Sequence, residues 1–449
     1  MIKEEFIMAM VVKNNMSAIN TLNILNTNTS ALSKSLQKVS SGMKINGAAD
    51  DASGYAISER MRVQIRSLDQ DKANTQNGSS LMKVAEGAVS STVDILKTLK
   101  EKVINAANDT NTDSDRATIQ KELDQSIDQI NDNANVTFNG KYLVDGSHNN
   151  KVTATTCSMT NQSLDESTVW GDAVTSLKNR NGNSLNIQST DSVTVSYVNQ
   201  GKTYTTTFKV SNNSLQQVID KANTYAASKG STTSLQTSNA TATSLIGKDA
   251  AGNNVYTASG KDALTLTAGG TGVNKQIGGF TISITDNTGK VNKSANAALD
   301  DFAESIRAQD NSEDNAIVLQ IGTKASQSIK AGMTDMRAVA LGLQGTDGAT
   351  LSVATQEKAN AAINVLDNAI QKALDQQTTI GSIQSRLEYT ASNLTTASEN
   401  VQSAESTVRD ADMAKEMTEY TKNNVLMQAA QAMLAQANQN SSNVLSLLQ

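Results

Sequence analysis

The stretch "SSGMKINGAADDASGYAISERM", Ser40–Met61, interrupts two long amphipathic runs, and how it is read decides how they are joined. Upstream of it the apolar positions step by four and three: Ala18, Leu22, Leu25, Thr29, Leu32, Leu36, Val39, Met43. That is a heptad seam on a helix otherwise rich in Asn, Ser and Thr. Downstream, a run starting near Ser53 turns Ile57, Met61, Ile65 and Leu68 to one face, and the face continues through Leu81, Ala85, Ala88, Leu96, Leu99 and Val103. Inside the interruption, Gly42 and Gly47 offer backbone freedom, and Asp50 or Asp51 can accept the free N–H groups of the next helix. Two adjacent carboxylates also invite an acid–base reading. Starting a helix and complementing its dipole is the simpler account of them.

Farther along, Ile119, Leu123, Ile127 and Ile130 mark a third helix behind the capping candidates Ser114 and Asp115. Near the C-terminus one position recurs every seventh residue, Ala359, Leu366, Ala373, Ile380, Leu387, Leu394, Val401 and Val408. A period of 3.5 sustained this long implies left-handed coiling against partner helices. A last seam, Met413, Met417, Tyr420, Met427 and Leu434, runs toward the end of the chain. Between about Gly146 and Asn315 the composition turns to Ser, Thr, Asn and Gly, and the period becomes two. "DSVTVSYV" and "KTYTTTFKV" flank "NQG" as a hairpin, and "SLQQVIDKANTYA" is a short helix with capping-box spacing at Ser214 and Gln217. "ALTLTAGG", "GFTISITDN" and "ANAALDDFAESI" read as a second strand, strand, helix unit, a weak internal duplication.

Composition narrows the function. The chain of 449 residues has five Phe, eight Tyr, one Trp and no proline, so large aromatic cores are not expected and nothing interrupts a helix by lacking an N–H. A formal net charge of -6 without a basic stripe argues against nucleic acid as a partner. Cys157 and His148 are each the single residue of their type, which excludes an internal disulfide and a two-histidine metal site and suggests incidental surface positions. "DTNTDSD", Asp109–Asp115, lacks the Gly and the bidentate Glu of an EF-hand, and "TAGGTGVNK" lacks the phosphate-loop Lys. No cofactor, metal or catalytic group is expected. There is neither a membrane-spanning apolar run nor a cleavable signal pattern.

With these elements in place, the quoted ends acquire a family. "KVSSGMKINGAADDASGYAISERMRVQIRSLDQ" resembles the N-terminal signature of bacterial flagellins, and "AESTVRDADMAKEMTEYTKNNVLMQAAQAMLAQANQNSSNVLSLLQ" resembles their C-terminal one. "VAEGAVSSTVDILKTLKEKVINAANDTN", "VTFNGKYLVDG" and "VLQIGTKASQSI" extend the likeness to roughly Met10–Gly146 and Val318–Gln449. The chain departs from the pattern in a segment ahead of Met10, in the missing proline before "VLSLL", and in having Cys157.

The resemblance implies a mainly α fold with a β-containing insert: long antiparallel coiled-coil helices from both termini, with a variable α+β outer domain between them. The expected division makes 1–9 an extension from a wrongly chosen start, 10–44 and 410–449 inner core helices, 45–146 and 316–409 a helical core layer, and 147–315 a surface-exposed α+β domain. Leu22, Leu25, Leu32, Leu36, Val39, Met413, Met417, Tyr420, Met427 and Leu434 are then expected to pack the filament core, and Gly42, Gly47, Asp50 and Asp51 to form a hinge between helical layers.

The implied function is a filament subunit that is exported and self-polymerises for motility. Implied partners are further copies of itself, the flagellar export apparatus and an export chaperone, and the filament cap and hook-junction proteins. In a host, a Toll-like receptor would meet the helix carrying Thr98 and Lys102, with Glu122 nearby, weakly because the usual arginine and leucine are absent. The expected location is extracellular, in the filament. A hook–filament junction protein is the nearest rival, disfavoured because both signatures match almost throughout. A coiled-coil signalling protein would need a membrane span or a glutamate-rich tip.

Overall fold

The computed structural model describes residues 15–240 and 245–447; the expected start at Met10 and the 1–9 extension lie outside the described residues. In chain order the elements are α1 (Met16–Ser41), α2 (Ala52–Ala106), α3 (Asp113–Ala134), β1 (Thr137–Phe138), β2 (Lys141–Tyr142), β3 (Thr156–Asn161), β4 (Ser192–Asn199), β5 (Lys202–Lys209) and α4 (Leu215–Ser228). There follow β6 (Leu235–Ala240), β7 (Leu245–Lys248), β8 (Asn254–Tyr256), β9 (Ala263–Thr271), β10 (Ile277–Thr285), α5 (Lys293–Leu299) and β11 (Phe302–Ile306). The chain closes with β12 (Ile317–Gln320), β13 (Ser328–Ala331), α6 (Ala338–Leu341), α7 (Gln356–Arg409) and α8 (Met413–Leu447). The fold is mainly α with a β-containing middle. The chain divides into two compact units, one of Met1–Ala73, Gly322–Ala325 and Ala391–Gln449, the other of Asn74–Ile321 and Ser326–Thr390.

In the second unit a helical core forms where the seams of α2, α3 and α7 meet. Leu96, Leu99, Leu123, Ile127, Ile130, Leu366, Ile380 and Leu387 are all buried in it. The seven-residue series on α7 is buried from Ala359 through Leu394, which agrees with a period of 3.5 selecting one face. Polar groups on the helices close the loops between them: Gln120 donates to the Leu351 carbonyl at 2.9 Å and accepts from the Val353 N–H at 2.7 Å. Helix α3 is capped two residues before the expected cap at Ser114. Thr112 is its N-cap and forms a capping box with Asp115, while Ser114 lies inside the helix. Thr112 Oγ1 accepts from the Asp115 N–H while Asp115 Oδ2 accepts from the Thr112 N–H, so the pair satisfies two free N–H groups, which Ser114 with Ala117 three residues on cannot do.

The β-rich part of the same unit has its own core around Met159, Tyr197, Phe280, Ile282 and Leu266. Strands β4 and β5 form the expected hairpin, closed by Gln200 and Gly201 at φ 50° and 70°, the left-handed pair that a two-residue turn requires. Helix α4 carries the expected Ser214–Gln217 capping box. The second strand, strand, helix unit is corrected. Strand β9 joins a sheet of order β11-β3-β9-β6, whereas β10 pairs with β4 in the order β10-β4-β5, so the two do not form a hairpin. The anticipated helix also ends early, at Leu299, and "FAESI" is strand β11 beside β3. Cys157 is corrected from surface to core: it is fully buried, and that burial pushes its thiol pKa up. His148 is half-buried, with Nδ1 3.2 Å from the Asn315 carbonyl.

Candidate functional site

The first unit holds the two terminal helices, and its geometry starts at the Ser40–Met61 stretch. Gly42 caps α1 with φ 72°, a left-handed conformation that excludes most side chains. Gly47 does not have a left-handed φ, and a Cβ there would meet nothing within 4 Å, so the freedom expected of it is not used. The two aspartates have separate tasks. Asp50 Oδ2 accepts from the Asn46 and Gly47 N–H groups and shapes the turn, whereas Asp51 Oδ1 accepts from the Ser53 and Gly54 N–H groups at 3.1 and 3.0 Å and starts α2. Those donors, with Gly54 the largest influence and the Ser53 hydroxyl next, hold the Asp51 carboxyl below its usual range.

The interruption does not end in free coil. Its first residues pair with the α7–α8 link: the Lys44 N–H donates to the Arg409 carbonyl at 2.8 Å, the Ala411 N–H donates to the Gly42 carbonyl at 2.9 Å, and Met43 and Asp410 form an antiparallel bridge. Lys44 Nζ adds a bond to the Thr407 carbonyl at 3.0 Å.

From this joint α1 and α8 run antiparallel. Lys38 meets Glu416 at 3.4 Å, Ser35 accepts from Asn423 at 3.1 Å, and Asn28 donates to the Leu426 carbonyl at 3.3 Å. The seam of α1 against α8 is the set Ala18, Thr21, Leu25, Asn28, Leu32, Ser35 and Val39, facing Glu416, Tyr420, Asn423, Met427, Ala430 and Leu434. Of the residues expected to pack a core, Leu25, Leu32, Val39, Tyr420, Met427 and Leu434 are half-buried here. Leu22, Leu36, Met413 and Met417 instead face solvent, together with Ile19, Val425, Leu426 and Met433. Every second seam position of α1 is thus polar, and the apolar residues one place away form a separate exposed stripe. Sequence reading missed this offset, although Thr21, Asn28 and Ser35 at seven-residue spacing carry its signal.

Sequence reading also missed the cluster around Arg409, whose side chain is buried. In the second unit, Thr98 is exposed and Lys102 half-buried on α2, and Glu122 is exposed on α3. Lys102 Nζ is 3.1 Å from Glu122 Oε1, an ion pair that sequence reading had as two separate groups. Among the described residues no cluster of His, Cys, Asp and Glu could hold a metal, and no helix is long and apolar enough to cross a membrane.

Comparison with known proteins matches the bacterial flagellin N-terminal helical region to residues 12–149 and the bacterial flagellin C-terminal helical region to residues 363–448. A flagellin of Clostridium tyrobutyricum is 34% identical over 96% of this chain and 99% of its own length. A flagellin of Bacillus subtilis is 32% identical over 98% of this chain and 100% of its own. A solved flagellar hook associated protein-3 from Legionella pneumophila covers 77% of this chain and 97% of its own at 15% identity, with a TM-score of 0.33, too low to bear on function.

Proposed function

The chain belongs to the bacterial flagellin family, and from that premise we propose that the exposed stripe of its α1–α8 pair is the surface that neighbouring copies cover. As a flagellin it is a structural subunit that self-polymerises into the flagellar filament, outside the cell, for swimming. The observation that carries the proposal is the uncovered set Leu22, Leu36, Met413 and Met417, extended by Ile19, Val425, Leu426 and Met433. Eight large apolar side chains left in water on one helix pair that buries so little between its own helices are what a pair completed by other copies would show. Burying it between copies gains about 25 cal/mol per Å² and offsets the entropy of ordering two polar-rich helices.

The proposal extends to the layout of the subunit and its partners. The residues 10–44 and 410–449 act as inner core helices, 45–146 and 316–409 as the helical layer, and 147–315 as the outer domain. No catalytic role is assigned. Passage through the export apparatus requires no cleaved signal, and an export chaperone would shield the apolar side of α8 before assembly. Cap and hook-junction proteins would meet the same terminal helices. A Toll-like receptor would find Lys102 already paired with Glu122, so docking a hydrophobic patch there would strip water from an ion pair, which favours weak recognition. A reporter assay of Thr98→Arg, Lys102→Leu against the unaltered subunit checks that point; equal potency would remove it.

The assembly proposal is tested by deleting Asp410–Gln449. The truncated subunit should stay soluble and keep the helical core around Leu96, Leu123 and Leu366 while failing to extend filament fragments. Filaments from the truncated chain would overturn it.

A further inference from the structure

The α1–α8 pair has a thin core of its own: in α1 only Ser35 is buried, and in the described part of α8 only Ala430. Something else must hold the α1–α2 and α7–α8 links in register, and the joint between them contains a side chain suited to that. Arg409, the last residue of α7, is 6% exposed. Its Nη1 donates to Glu59 Oε1 at 2.7 Å and lies 3.4 Å from the buried Ser58 hydroxyl, while its Nε is 3.2 Å from Met43 Sδ. The guanidinium also stands over the Tyr55 ring, 5.4 Å from its centroid. One side chain therefore touches the start of α2 at three residues and the α1–α2 link at a fourth, while its own backbone carbonyl accepts from Lys44.

We propose that Arg409 is the positioning residue of the filament-core helices, a clamp that fixes the paired links and so presets the α1–α8 pair for covering by other copies. The inference rests on the filament reading above. Its physical basis is preorganisation. Association has to order the interface, and a joint already ordered by contacts more than three hundred residues apart in sequence lowers that cost. A planar fork with several donors suits the task, because it can engage a carboxylate, a hydroxyl and an aromatic face together. Glu59 keeps a second cation at 3.7 Å, Arg62, so removing Arg409 does not strand a lone carboxylate.

The experiment compares full-length unaltered protein, Arg409→Ala, Glu59→Ala, the double variant and Arg409→Lys. Each is measured for the critical concentration at which fragments of native filament elongate, and for the thermal transition of the unassembled subunit. Loss of a hydrogen-bonded charged contact should raise the critical concentration about tenfold or more for Arg409→Ala. The double variant should be no worse than Arg409→Ala alone, Arg409→Lys should fall between, and the thermal transition should not move. Unchanged elongation by Arg409→Ala overturns the clamp, as do effects of the two single changes that simply multiply, or a fall in the thermal transition that tracks the loss of assembly. Failure of the unaltered protein to extend the fragments would instead overturn the filament reading, so the two failures are distinguishable.

Discussion

At the scale of single residues, the sequence announces a side chain's position only where its neighbours in the chain also set its surroundings. Asp51 and Ser214 belong to that class, because a cap is satisfied by N–H groups two or three residues away. Cys157 and Arg409 do not, since what buries them arrives from distant segments: the Ile277 carbonyl accepts from the Cys157 thiol, and Glu59 holds Arg409. Lys372 is another such residue. It is buried on α7 with Nζ donating to the Ala340 carbonyl at 2.9 Å. Burial, reinforced by the nearby Arg307 cation and partly opposed by Asp335 and Glu304, lowers its pKa to about 7. In the unfolded chain the same ammonium titrates near 10.4. Between those values the unfolded state binds more protons than the folded one, so stability rises with pH across that interval, and below it the full cost of a buried cation remains. Replacing Lys372 by Met removes the effect. Thermal melts at pH 6 and pH 10 should show the unaltered protein gaining stability relative to Lys372→Met as pH rises. A difference between the two proteins that stays constant with pH would contradict a neutral buried amine.

At the scale of elements, periodicity was readable wherever one helix face meets one partner. The buried series on α7 follows the written heptad from Ala359 to Leu394, because a 3.5 period leaves a single choice of face. On α1 two faces compete, and the aliphatic stripe containing Leu22 and Leu36 gives way to a seam that includes Thr21, Asn28 and Ser35. Strand partners were the least readable feature, since nothing in "GFTISITDN" says that β10 pairs with β4 across a long insertion. Nor does a local pattern show that α7 finishes the outer edge of that sheet. Asn364 and Asn368, one turn apart, donate to the Phe280 and Gly278 carbonyls at 3.2 and 2.9 Å. The strand approaches so closely that a Cβ on Gly279 would stand 3.0 Å from the Ala361 carbonyl oxygen and from Val365 N. Neither backbone atom can yield without shifting the helix. Gly279→Ala should therefore destabilise the subunit by about 1–3 kcal/mol, read as a lower denaturant midpoint at unchanged slope. Gly47→Ala is the matched control: with open space and no left-handed φ, it should be neutral or stabilising by up to about 1 kcal/mol. Equal midpoints for the two variants would mean that the packing of β10 on α7 is not what requires the glycine.

At the scale of the whole molecule, the question is whether the β-rich middle is a passenger. Composition made the change near Gly146 and Asn315 visible, but a composition boundary is not a packing boundary. Val198 from the β4–β5 hairpin is buried in the helical core, and Arg307 donates to the Asn368 carbonyl of α7 at 3.0 Å while its ion pair with Glu304 stays largely out of water. Removing the middle would uncover Val365 and leave two asparagines of α7 without the carbonyls they now serve. The helices would still share Leu96, Leu99, Leu123, Ile127, Leu366 and Ile380, which come from α2, α3 and α7 themselves. Replacing 147–315 by a short Gly/Ser linker should accordingly separate two properties. The variant should still elongate filament fragments, because the exposed stripe around Leu22, Leu36 and Met417 is retained, and electron microscopy should show thinner filaments. Its helical signal should melt at a lower temperature than that of the full chain, because α7 loses a packed face and gains unpaired polar groups. Filaments of unchanged diameter would place the middle away from the outer surface. Loss of all polymer with the helices still folded would make the insert part of the assembly contact itself, and an unchanged melting temperature would mean that the β10 edge contributes nothing to holding α7 in place.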